Sequence, residues 1–429
     1  MAALACCFGR AEPRRQARKY IAGLMGGSSP KNCWTLAQEA GDRTPDKMQR
    51  LLGHAAWDHR AAMGAVAGFT AGRLGGQDAV VVIDESGQLK KGDRTAGVKR
   101  QYVGCAGRVE NAVNVVYCTY GVPAGHALVA ARLYLPADWA ADLPRRRAAG
   151  VPGDLEFATK PQLAIEMLAV LAGQGISPPW AAADEVYGQD AKLRAYLERG
   201  GTGYVLGVPR SFRIMASPGR KIRADTVARL APASAWMTAS CGKGSKGDRD
   251  YAWAWLATAT PRHTLLVRRH LRDPSADLAF FYCYVPPGRP ASFTTLIRVA
   301  GRRWPVEEDF QIGKGHFGLD ESQVRTYTAL NRHLVLSMAA LAVCAITAAD
   351  ARTTSTLAAA PRSPHEQPPA DPGLIPLTVA EVRRLHNLLT RTWQTIRHHL
   401  HWSWWRRRHQ ARARWFHQRT HLQRQASEP

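Results

Sequence analysis

No Cys-x-x-Cys pair occurs in the 429 residues. The eight cysteines, at 6, 7, 33, 105, 118, 241, 283 and 344, are scattered, which argues against a zinc ribbon or a dithiol redox centre. Several sit in apolar, strand-like runs, where a thiol serves as a small core residue, and a reducing, cytosolic compartment is the simplest reading. Long hydrophobic runs are also missing. The longest nearly apolar stretch, Leu334–Ala349, falls short of the roughly 20 residues of a membrane span and reads as a buried helix, so no membrane partner is expected. The opening residues lack a basic n-region and a long apolar h-region, so no signal peptide is expected. The Gly242–Gly247 loop carries Lys243 and Lys246 but not the G-x-x-x-x-G-K-[ST] pattern, so no ATP site follows. No internal repeat is evident.

Acidic residues are also in short supply. Lys and Arg total 58 against 34 Asp and Glu, a net charge of +24. A surplus of that size points to a polyanionic partner, and without a membrane segment that partner is DNA. The charge is uneven: residues 1–75 carry +6 and residues 381–429 carry +9. A basic head and tail around a more neutral middle suit a catalytic core with DNA-gripping flanks. Arg14, Arg15, Lys90, Lys91, Arg406, Arg407 and Arg408 are the candidate contacts. With 45% hydrophobic residues, the chain can bury a large core divided among two or three domains.

Residues 1–75 read as a helical, DNA-binding domain. Ala17, Tyr20, Ile21 and Leu24 fall on one helical face, and Thr44-Pro45 predicts a capped helix start. At Asp78 the period changes. Ala79–Ile83 is a continuous, mostly β-branched run, the mark of a strand buried on both faces, and it ends at Asp84. Further strands are predicted at 102–104, 113–120 and 128–135, a helix at 161–172, a strand at 180–183 ending at Asp184, a helix at 189–199 and a strand at 204–208. This order is that of an RNase H-like mixed sheet with flanking helices, and residues 76–209 form its first part. Residues 210–290 are a β-rich insertion. Residues 291–350 return to helix as the second part of the core. Residues 351–377 are a Pro/Ala/Ser/Thr-rich linker. Residues 378–429 are a basic Arg/Trp/His-rich tail whose first helix is capped by Thr378, with an apolar stripe of Val382, Leu385, Leu388 and Leu389. A solvated tail and a DNA-binding tail both fit that composition.

Asp84 and Asp184 each close a short apolar strand, at a sheet edge where solvent and ligand can reach. On neighbouring strands their carboxylates would repel unless a cation sits between them, and oxygen-only ligation favours Mg²⁺ or Mn²⁺. Two such ions need a third acid. Glu307, in Arg303-Trp-Pro-Val-Glu-Glu-Asp-Phe-Gln-Ile-Gly-Lys314, lies in the first turn of a helix opened by Pro305, with Lys314 two turns further along the same face. Each acid has a plainer role: Asp84 and Asp184 as turn residues, and Glu307 as a partner of the helix dipole. The neighbouring Glu85 and Glu185 should point away by strand alternation.

Val-Val-Ile-Asp84-Glu-Ser-Gly-Gln-Leu-Lys-Lys-Gly, Ala-Ala-Asp184-Glu-Val-Tyr-Gly and Gly318-Leu-Asp-Glu-Ser-Gln-Val-Arg325, together with the Arg303/Glu307/Lys314 spacing, resemble the insertion-sequence transposases of the DDE superfamily. The branch is the one with a Tyr-Arg-Glu-Lys signature and a β-strand insertion domain. Arg303, Glu307 and Lys314 match the signature spacing, while Ala300 stands at its Tyr position. The resemblance implies Asp84, Asp184 and Glu307 as metal-binding catalytic acids for two ions, and Arg303 and Lys314 as DNA contacts. It also implies cleavage at terminal inverted repeats and transfer of the 3′-hydroxyl to target DNA, by a homodimer in the DNA complex. Some members stack a flipped base on a Trp of the insertion; Trp236, Trp253 and Trp255 are the candidates, and core packing is their plainer role. A cytoplasmic, nucleoid-associated location follows. The alternatives are a transposase-derived DNA-binding protein or repressor that does not cut, and a simple RNase H-like nuclease.

Overall fold

The computed structural model describes residues 1–244, 247–271, 273, 277–352, 370–371, 373–390 and 394–426. Four helices open the chain: α1 (Ala11–Met25), α2 (Cys33–Glu39), α3 (Asp46–Gly53) and α4 (His59–Leu74). α1 buries Ala17, Tyr20, Ile21 and Leu24, the face its spacing predicts. α3 begins one residue later than expected: Pro45 occupies the cap, and the Thr44 hydroxyl bonds Asp46 rather than a helix amide.

The strands β1 (Val80–Leu89), β2 (Lys99–Val103), β3 (Arg108–Val122) and β4 (Gly125–Leu133) follow. Next come the short helices α5 (Ala137–Ala141) and α6 (Leu143–Ala148), then α7 (Lys160–Gly173), β5 (Trp180–Ala183), α8 (Glu185–Gly188), α9 (Ala191–Arg199) and β6 (Gly203–Val208). The segment expected as an insertion supplies β7 (Arg213–Ser217), β8 (Arg220–Arg223), α10 (Ala224–Arg229), β9 (Trp236–Gly244), β10 (Gly247–Ala257), β11 (His263–His270) and β12 (Ala279–Tyr284). The chain continues through α11 (Phe293–Gly301), α12 (Trp304–Phe317), α13 (Tyr327–Ala351), α14 (Val379–Thr390) and α15 (Ile396–Ala426).

One sheet of ten strands runs β2-β3-β1-β5-β6-β12-β11-β10-β9, with β4 also on β3. β1, β5 and β6 are parallel to one another, and the remaining pairings are antiparallel. The β-rich segment therefore extends the main sheet: β12 pairs β6 from Phe280↔Val208 to Tyr284↔Tyr204, and among the described residues only β7 and β8 form a sheet of their own. The reason lies in its side chains. Leu265 and Val267 join the core beneath α7, α8 and α9, whereas Leu266 and Phe281 join the core beneath α11 and α12. Strands apolar on both faces need helices on both. β1 obeys the same alternation, with Val81 and Ile83 on the α7–α9 face and Val80 and Val82 on the α11–α12 face.

A third core joins the head helices, β4, α13 and the tail through Trp402 and Val382. α13, at 25 residues, is long and apolar enough to cross a membrane, but most of it is buried here against protein. Thr378 caps α14 as expected, its hydroxyl accepting from the Glu381 amide at 3.2 Å. Of the stripe expected there, Val382 is buried while Leu385, Leu388 and Leu389 are exposed. The tail is helical and docked at its start: the Trp402 indole is fully buried and donates to the Asp42 carbonyl at 2.9 Å. Most of the expected 351–377 linker, Lys246 of the Gly242–Gly247 loop and the Lys243 side chain lie outside the described residues.

Candidate active site

β1 does not end at Asp84. It runs on to Leu89 along β3, but its parallel partner β5 stops at the pair Ile83↔Ala183. Asp84 and Asp184 are therefore the next pair in register, side by side where two parallel strands part, the usual place for a ligand crevice in such sheets. Alternation puts both on the α11–α12 face, because Val82 and Ala182, two residues before them, lie in that core.

Asp184 is also the N-cap of α8, its Oδ1 accepting from the Val186 amide at 2.9 Å, so one carboxylate oxygen is fixed. Two glycines make this turn possible by close approach. A Cβ on Gly188 would stand 1.9 Å from the Gly207 carbonyl oxygen, and one on Gly207 would press on the Asp184 backbone at about 3.2 Å. α8 thus lies directly on β6.

Glu307 arrives from α12. Pro305 opens that helix and Glu307 occupies its first turn, as the sequence predicts. Arg303 spans the gap, with its guanidinium 3.4 Å from the Asp84 carboxylate and 2.5 Å from that of Glu307. Burial, and then the charge of Asp184, push the Asp84 carboxyl up to about 7 despite the opposing pull of Arg303. Asp184 is raised too, by burial and then by Glu85. Asp84 and Asp184 are adjacent hard oxygen donors whose joint ionisation is disfavoured unless a cation accompanies them, and this suits a hard divalent ion. The three acids are not gathered as one cluster: among the described residues no group of three Asp, Glu, His or Cys side chains stands ready to hold an ion. Glu307 is turned onto Arg303 instead.

The neighbouring acids go elsewhere. Glu85 takes the opposite sheet face, 2.5 Å from Lys160 Nζ and accepting from the Tyr187 hydroxyl at 2.6 Å. Glu185 is exposed. Lys314 donates to the Gly87 carbonyl of β1 at 2.9 Å, which places it along the same strand as Asp84. Lys90 is largely buried and donates to the Ser322 carbonyl at 2.8 Å, a tie between loops, and burial lowers its ammonium to about 8. Lys91, Arg14, Arg15, Arg407 and Arg408 are exposed, while Arg406 donates to the Gln38 side chain at 2.6 Å. Ala300, at the signature's Tyr position, is buried in the α11–α12 core.

The three insertion tryptophans differ sharply. Trp253 is fully buried and donates to the Ala239 carbonyl. Trp236 is half-buried under Arg269. Trp255 is 38% exposed and packs against Phe293. Another indole was missed: Trp304, at the start of α12, is 47% exposed, donates to Glu308 and lies under the Arg249 guanidinium. Its signal was present in the Arg303-Trp-Pro-Val-Glu-Glu run, which puts it one turn before Glu308.

Comparison with known proteins adds to this geometry. The family described as DDE superfamily endonuclease matches residues 3–254, a stretch that includes Asp84 and Asp184 and stops before Glu307. Among curated proteins the chain is similar to a probable transposase for insertion sequence element IS701 from Microchaete diplosiphon. The two are 29% identical over 151 residues, covering 35% of this chain and 37% of that protein's length. Among solved structures it is similar to the piggyBac transposase synaptic complex with hairpin DNA, at a TM-score of 0.44 and 9% identity over 89% of this chain and 71% of that one.

Proposed function

The chain belongs to the DDE superfamily endonucleases, and from that premise we propose that it is a DNA transposase that cuts at the ends of an insertion sequence and joins the freed 3′-hydroxyls to target DNA. The observation that carries the proposal is the register of Asp84 beside Asp184 on the face that Arg303 and Glu307 approach. Asp84, Asp184 and Glu307 would hold two Mg²⁺ or Mn²⁺ ions. Such ions supply Lewis-acid activation of the attacking and leaving oxygens of a phosphodiester.

The protein's own residues do the positioning. The Arg303 guanidinium, now bridging Asp84 and Glu307, is placed to release them and pair with a DNA phosphate. Lys314 lies two turns beyond Glu307 on the same helix and supports the same track. Arg14, Arg15, Lys91, Arg407 and Arg408 give an exposed, sequence-independent grip on terminal repeats and target. Lys90 and Arg406 serve that grip indirectly, by fixing the segments that carry it. Trp255 is the insertion indole best exposed to stack a base. A homodimer at paired ends fits the need to process two ends together.

The test mixes the full chain with its flanking terminal-repeat DNA and Mg²⁺ or Mn²⁺, and scores 3′-hydroxyl release and strand transfer. Asp84→Ala, Asp184→Ala and Glu307→Ala should each lower cleavage by about 10³-fold or more while leaving DNA binding, which weakens steeply with salt, nearly unchanged. Wild-type protein that binds these ends but cuts under no divalent ion would instead be a repressor or end-holding protein.

A further inference from the structure

A second set of acids lies in the same helix, directly after Glu307. Glu308 and Asp309 both reach one imidazole, that of His126 at the start of β4. His126 Nε2 lies 3.1 Å from the Glu308 carboxylate and Nδ1 lies 2.9 Å from that of Asp309. Asp309 is almost wholly buried and also accepts from the Thr119 hydroxyl of β3 at 2.9 Å. Glu308 also accepts from the Trp304 indole at 3.1 Å. Arg302, just before α12, donates to the Val122 carbonyl at the β3–β4 turn at 2.5 Å.

Helix geometry gives this clamp a consequence. Successive residues are rotated by about 100°, so two neighbours held by one ring fix the helix about its own axis. With Glu308 and Asp309 both drawn to the β3–β4 hairpin, Glu307 is left to project from the other side, toward β1 and Asp84. A shift of one residue would carry Glu307 about 100° round the helix, into the place Glu308 now holds and away from Arg303. A neutral imidazole carries only one N–H, whereas both of these nitrogens face carboxylates, so the arrangement calls for the imidazolium. The two acids hold it in that form up to about 9, against the opposing effect of burial.

We propose that His126 is a positioning residue for the active site: by gripping Glu308 and Asp309 together, it sets the rotation of α12 that delivers Glu307 to the Asp84–Asp184 crevice. The inference rests on the reading of Asp84, Asp184 and Glu307 as metal ligands. His126 bonds Glu308 and Asp309 rather than the three acids themselves. Its role is that of an outer partner that orients a ligand, a role whose loss elsewhere weakens metal binding or activity by about 10- to 100-fold. A cleft of about 480 Å³ opens beside the ring between Gly125, Glu308, Gln311 and Gly315, so a small molecule can reach the place that the side chain would leave.

The test titrates Mn²⁺ into the full-length protein without DNA, followed by electron paramagnetic resonance, and then measures the cleavage rate. His126→Ala should weaken Mn²⁺ binding about tenfold or more and lower kcat with little change in KM for DNA. Added imidazole should restore both in part, but restore nothing in Asp84→Ala. Thr119→Val, which removes one hydrogen bond from Asp309 and keeps the shape, should move Mn²⁺ affinity the same way by less, and it decides the matter if His126→Ala does not fold. Wild-type Mn²⁺ affinity in these variants, or a loss that imidazole does not touch, overturns the inference and leaves a plain structural clamp. Wild-type protein that neither binds Mn²⁺ nor cuts DNA sinks the metal-nuclease reading itself, a different result from a His126 variant that matches an active wild type.

Discussion

Asp84 and Asp184 on one side of α12, and Glu308 and Asp309 on the other, are two pairs of acids in partly or wholly buried surroundings with opposite provision for their charge. The second pair is matched by an imidazole ring, a hydroxyl and an indole N–H. The first pair, together with Glu307, meets a single guanidinium, and at Asp84 that contact is long. Asp84 is consequently driven toward its neutral form, while the clamp drives His126 toward its charged one. Acids that serve the fold are paired within it. The acids proposed to serve chemistry are left short of a partner, which a cation from solution would supply.

Stability against pH separates the two clusters most strongly. The folded Asp84 carboxyl stands near 7 against an ordinary 3.8. Its raised value makes a contribution that is fully present below about pH 4 and is lost as pH rises through 7. His126, at about 9 against 6.5, contributes fully below pH 6.5 and loses that contribution as pH rises through 9. At about 1.4 kcal/mol per unit, the upper limits are about 4 and about 3 kcal/mol. Thermal unfolding from pH 4 to 10 in EDTA should therefore show two successive losses. Saturating Mg²⁺ should offset the first and leave the second. A metal effect spread evenly over both windows would erase the distinction between the clusters.

The sequence made one cluster legible and hid the other, for a physical reason. The run Ala79–Ile83 could only be a doubly buried strand, so Asp84 at its end stood out, as did Asp184 after the Trp180–Ala183 run. The continuation of β1 through Glu-Ser-Gly-Gln has no strand character of its own; pairing with β3 imposes it. The strands at 251–285 were readable one by one, but their attachment to β6 is a non-local pairing that no window contains. α15 is polar nearly all round and shows no periodicity, so its docking through Trp402 was invisible. His126 is a lone histidine on a strand, and its meaning arises only when α12 packs across the hairpin.

A smaller effect follows from neutralising one member of the strained pair. Asp84→Asn keeps an oxygen for the Glu85 amide, which Asp84 Oδ1 now accepts at 2.7 Å, and removes a charge that burial opposes. In EDTA at pH 8 the variant should be more stable than wild type by about 1–2 kcal/mol, and on the proposed function it should no longer cut DNA. His126→Asn should go the other way, because it leaves two acids facing a neutral amide. Denaturant melts of the two variants check this, and a destabilised Asp84→Asn would mean that Arg303 already satisfies the crevice.

The smallest expected effect concerns Glu85, one residue from Asp84 and on the other face of the sheet. Its partners Lys160 and Tyr187 belong to the α7–α8 layer, so it should take no part in holding metal. Its charge does raise Asp184. Glu85→Gln should therefore leave the cleavage rate at neutral pH within about threefold of wild type, cost about 1 kcal/mol of stability through the lost Lys160 pair, and move the acid limb of the pH–rate profile downward as Asp184 ionises more readily. Loss of cleavage as complete as in Asp84→Ala would mean that the two faces of β1 do not divide structural from catalytic acids, because alternation along a strand is the only thing separating these neighbours.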